Sequence, residues 1–162
     1  MLSPVSSFAH SLTSMSKILD KAEAFAEAKK IKPDVFPQLR LIADMLPFWR
    51  QITIACDHAK GACARLSGTE VPSFADTETT LAELKERIAK TIAFIQTIPD
   101  AAFADAETRT IMVKAGPREL TFSAPQYYGS FAIPNFYFHL TTAYAILRVN
   151  GVEVGKGDFL GG

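Results

Sequence analysis

Four separate stretches of this chain carry apolar residues alternately three and four apart, and that spacing makes a bundle of helices the simplest way to bury them. Phe8, Leu12, Met15, Leu19, Ala22 and Ala26 line one face of a first long helix. Ser3-Pro4 is a suitable start for it, Lys29 and Lys30 complement the carboxyl end of its dipole, and Pro33 stops it. A second helix is predicted from about Pro47 to Ser67, with Phe48, Ile52, Ala55, Ala59, Ala62 and Leu66 inward and Gly68 as a left-handed cap. Its alanines let a neighbour approach closely or leave room for a ligand. A third helix opens at a capping box, Thr80 with Glu83, buries Leu81, Leu84, Ile88, Ile92 and Ile95, and ends before Pro99. Residues 33–47 hold three prolines among apolar residues, which predicts a short helix or buried loop across one end of the core.

Between residues 108 and 123 the period changes from helical to alternating. Arg109–Lys114 and Glu119–Phe122 flank the turn-forming Ala115-Gly116-Pro117, so this segment reads as one hairpin lying on the bundle. A second capping box, Ser123 with Gln126, opens a fourth long helix that runs to about Val149 and contains Pro134, predicted to kink it by withdrawing the hydrogen bond to the Ser130 carbonyl. The expected fold is all-α: a four-helix bundle with a small β-hairpin between the third and fourth long helices, as one domain over residues 1–162. Seventeen basic and 17 acidic residues, without a basic cluster, argue against a nucleic-acid partner. No apolar run is long enough to span a membrane, and the first 15 residues lack the features of an export signal. Cys56 and Cys63, seven apart on one helix, lie about 10 Å apart along its axis and cannot pair; a reducing cytoplasm suits them best.

Only His10, His58 and His139 supply imidazoles. His58 sits on the edge of the second helix's apolar face, His139 beside the buried set of the fourth, with Asn135 one turn before it. Convergence of the two in the bundle would create a polar site between the second and fourth helices, where such folds place metals and cofactors. The alternative for each is an edge histidine bonded to a backbone carbonyl or a carboxylate. Gln51, two turns before His58, and Tyr128, about two turns before Asn135, are further candidates to line that site. Asp57 points about 100° away from His58 around the helix and is a poor substitute ligand.

The stretch from Pro134 through Asn135, His139 and Arg148 to Asn150-Gly151 resembles the last helix of the DinB-like superfamily. Ile54–Gly61 and Asp158–Gly161 are similar to an uncharacterised branch of it, known only as a domain of unknown function. The resemblance implies a four-helix bundle, often dimeric, in which three histidines hold zinc or nickel: one on the second helix and an H-x-x-x-H pair on the last. Carried over, His58 and His139 match two ligands, and the third falls on Asn135, an amide in place of an imidazole. Three functions follow in order of expectation: a small-molecule pocket, with or without catalysis, at Gln51, His58, Tyr128, Asn135 and His139; a non-catalytic homodimer with a decayed site; and a divalent-metal-dependent hydrolase or thiol transferase.

Overall fold

Each of the four apolar stripes becomes a long helix. The computed structural model describes residues 3–162. Helix α1 (Val5–Lys29) buries every residue of its predicted stripe and ends at Lys30, whose left-handed φ of 57° turns the chain. After the one-turn helix α2 (Val35–Gln38), α3 (Phe48–Ser67) buries Ala55, Ala59 and Ala62 completely and closes at Gly68, φ 77°. Helix α4 (Leu81–Gln96) has the expected capping box, in which Glu83 N donates to Thr80 Oγ1 at 3.2 Å and Thr80 N to Glu83 Oε2 at 2.9 Å. The helices α3 and α6 (Ile133–Val149) pack together, α4 packs on both α3 and α1, and the edge-on pair Phe8–Phe136, 4.8 Å between centroids, joins α1 to α6. The short α7 (Lys156–Leu160) lies on α1, where Lys21 Nζ pairs with Asp158 Oδ1 at 2.7 Å.

The hairpin pairs β1 (Thr110–Ala115) with β2 (Arg118–Ser123), Ala115 opposite Arg118. The turn therefore has two central residues: Gly116 at φ 61°, and Pro117, whose ring holds φ negative. Ile111 and Val113 bury one face of β1, while Met112 on the other is exposed.

Of the two forms expected for residues 33–47, the short helix is present as α2, with Phe36 buried, but the rest is not a buried loop: Leu41, Ile42 and Leu46 are exposed. That loop closes on itself through Met45 N–Ile42 O (3.0 Å) and Phe48 N–Leu39 O (2.8 Å), so it runs along the surface rather than through the core. The fourth long helix is not one kinked α-helix. A single turn, α5 (Ala124–Gln126), leads into a π-helical turn over Tyr127–Ala132, and Pro134 stands second in α6. Proline offers no N–H to the turn before it, and the wider π turn absorbs that loss without a break in the helical path.

Candidate functional site

The seam between α3 and α6 gathers most of the chemistry. Alanines on α3 bring the two helices close, and His58 and His139 meet there. Their rings stack nearly parallel, 6.0 Å between centroids and 14° between planes. Phe131, on the π turn, closes on His58 at 5.7 Å, and Phe138 stands edge-on to His139 at 5.2 Å.

Gln51 decides the state of His139. Its side chain is buried, and its Nε2 donates to the Leu46 carbonyl at 2.9 Å. That leaves Oε1 as an acceptor 2.7 Å from His139 Nδ1, so Nδ1 carries the proton and Nε2 keeps its lone pair. Burial, reinforced by the neighbouring His139, pulls the His58 pKa down to about 4. Burial and nearby Arg50 lower His139 as well. Both imidazoles are therefore neutral at pH 7, and a neutral imidazole with a free lone pair accepts a hydrogen bond or a proton.

Asn135 sits one turn from His139, but its Nδ2 donates to the Phe131 carbonyl at 2.7 Å, tying the end of the π turn. Tyr128 packs edge-on against Phe8 of α1, 6.3 Å between centroids, and lines a cleft with Ser3, Ser6 and Gln96. His10 bonds the Leu160 carbonyl at 2.9 Å, on the α7 side of α1. Asp57 points toward α4, as its helical angle requires, and pairs with Lys60 Nζ (2.9 Å) and Arg87 Nη2 (3.0 Å). Burial pushes both Cys56 and Cys63 up to about 12, so neither presents a thiolate at neutral pH.

Arg65 is the residue on this seam that the reading of the sequence passed over. It lies seven positions after His58, hence on the same edge of α3, and that spacing was the available signal. Its Nη1 donates to the Tyr127 hydroxyl at 3.2 Å, and Tyr127 stacks on Phe131 at 5.9 Å between centroids. Gln51, His58 and Arg65 on α3 thus face His139, Phe131 and Tyr127 on the partner strand of helix.

With this geometry in view, the sequence matches, over residues 3–160, the family described as Domain of unknown function (DUF1993). The chain belongs to that family. It is also similar to a crystal structure of a DinB family member protein from Shewanella denitrificans, with 47% identity, a TM-score of 0.90, and coverage of 98% of this chain and 89% of that one. Among curated proteins none matches it. The DUF1993 chain thus has a DinB-like fold, but its donor set differs from the three-histidine pattern implied by the sequence resemblance. Among the described residues no group of three or more His, Cys, Asp or Glu side chains is placed to hold a metal ion. Asn135 Nδ2 is bonded to the Phe131 carbonyl, so the amide could offer only its Oδ1, and two imidazoles with one amide oxygen are a weaker donor set than the three strong ligands that zinc takes.

Proposed function

We propose that this DUF1993 protein binds a small molecule on the α3–α6 seam, with His58 and His139 as neutral acceptors and His139 Nε2 as the base should a reaction follow. The observation that carries this reading is the stacked imidazole pair whose one tautomer is held by Gln51. Rings 6.0 Å apart lie within reach of one bound molecule, and Phe131 and Phe138 provide apolar walls for it. The test is a fragment screen read by NMR on histidine ring signals of tag-free protein. Fragments that bind are expected to shift His58 and His139 together, and to lose most of their affinity in His58→Ala. Hits that leave both rings unmoved would refute the reading.

A second reading, a homodimer that pairs around the same seam, rests on a different observation. Phe138 is 57% exposed beside His139, and Leu46, whose carbonyl receives Gln51, is 44% exposed, with Ile42 at 61%. Exposed apolar side chains that border one polar site mark an interface when they are contiguous. A solution mass of two chains that falls to one in Phe138→Asp would support this pairing; a monomer at every concentration would exclude it.

A further inference from the structure

Arg65 is a half-buried guanidinium whose charge meets no carboxylate among the described residues. Arg50 and Arg87 provide the contrast: Arg50 pairs with Asp76, and Arg87 with Asp57, Asp76 and Glu78. No acidic group lies within salt-bridge distance of Arg65 among the described residues, and its hydrogen-bond partner there is the Tyr127 phenol. Burial raises the Tyr127 pKa, so that phenol is neutral and leaves the positive charge uncompensated. A guanidinium carries five N–H donors, and one bond to a phenol uses one of them.

The position of this group is set by a glycine. Arg65 folds back along α3 so that Nη1 occupies the space a Cβ on Gly61 would need. The absence of a side chain at Gly61 is what admits it. The guanidinium therefore sits at the level of residue 61, three residues and about 4.5 Å of helix rise from His58. Between them the wall is Phe131, which touches both His58 and, through Tyr127, the arginine.

From this juxtaposition we infer that Arg65 is the anion-recognition residue of the seam, and that the ligand is a small carboxylate with a flat apolar body. The carboxylate takes the free N–H fork of Arg65, a geometry guanidinium suits in pairs of bonds, and the body lies against Phe131 toward the imidazoles. This inference rests on the reading that the imidazole seam binds a small molecule, and adds the class of that molecule.

The experiment titrates tag-free full-length protein with benzoate and, separately, with its neutral isostere benzamide. It follows the histidine ring and arginine side-chain signals by NMR. Benzoate is expected to shift His58 and Arg65 saturably, with benzamide at least about tenfold weaker, because the charge-assisted pair is lost. Arg65→Gln should weaken benzoate by a similar factor. Gly61→Ala supplies an independent variant: its Cβ meets only the end of a flexible side chain, so the helix is kept while the guanidinium is displaced. Folding of both variants is checked by circular dichroism. Equal binding of benzoate and benzamide, or wild-type benzoate affinity in both variants, would overturn the role of Arg65 while leaving the imidazole site standing. Absence of any benzoate shift at millimolar concentrations would overturn the carboxylate class, and fragment hits on the two histidines would still test the imidazole reading separately.

Discussion

His139 keeps its lone pair on Nε2 because the Gln51 amide, across the seam on α3, is not free to rotate. Gln51 gives its N–H to Leu46 and its oxygen to His139, and each bond orients the other. Gln51→Leu is expected to leave the Leu46 carbonyl and the His139 N–H without these partners, destabilising the fold by about 1–3 kcal/mol in urea unfolding. The same variant should replace one His139 tautomer by a mixture, read from its ring ¹⁵N shifts. Acid acts on the neighbouring ring. His58 is held near 4 in the folded protein against 6.5 when unfolded, so between those values the unfolded chain binds the proton and the folded one does not. Stability is therefore complete above about pH 6.5 and falls as the pH drops toward 4, by on the order of 2 kcal/mol once partial exposure of the ring is allowed for. His58→Phe should flatten that part of the stability–pH curve. At this scale the residue types were legible, since His58 and His139 stand on the predicted helix edges. The partner of Gln51 was not, because it depends on how far α6 is shifted along α3.

Helices, caps and hairpin follow from interactions over three or four residues, and these elements are where sequence and structure agree most closely. The box at Thr80 and Glu83 is local in this sense, and Thr80→Ala is expected to cost about 1 kcal/mol by thermal or urea unfolding. The exception is the approach to α6. A proline signals a disturbed helix, but whether the chain kinks or takes in an extra residue depends on what surrounds it. Here Phe131 packs on His58 and Phe122, and the π turn is the conformation that points it there. Pro134→Ala restores an N–H and allows a regular helix from Ala124 onward. The residues before 133 would then rotate by about 100° relative to α6, and NOEs between the Phe131 and His58 rings should disappear.

At the scale of the whole molecule the helices are joined by buried charge as well as by the apolar core. Arg87 on α4 is 3% exposed and binds Asp57 of α3 together with Asp76, Glu78 and the Ala75 carbonyl of the connecting loop. Phe74 of that loop lies under Lys60 and Lys90, each Nζ 4.2 Å from its ring centroid. Arg87→Ala would leave the mostly buried Glu78 without its guanidinium, while Asp57 and Asp76 are exposed enough to be solvated, and a loss of about 1–3 kcal/mol is the expected result of unfolding measurements. The cover over Arg87 is not legible in the sequence, because helical period marks an edge position without saying what the loop beyond it will cover. The sequence by itself determined the first three long helices with their ends, the helical course of the fourth stretch though not its division by the π turn, the hairpin and the two imidazoles on helix edges, since periodicity, capping and turn chemistry act within a few residues. Only the tertiary structure decided that His58 and His139 stack, that Gln51 holds His139, that Asn135 ties the π turn, and that Arg65 lies over Gly61 beside the Tyr127 phenol. Each of those depends on the relative shift and rotation of whole helices, and the packing of many side chains at once sets that shift and rotation.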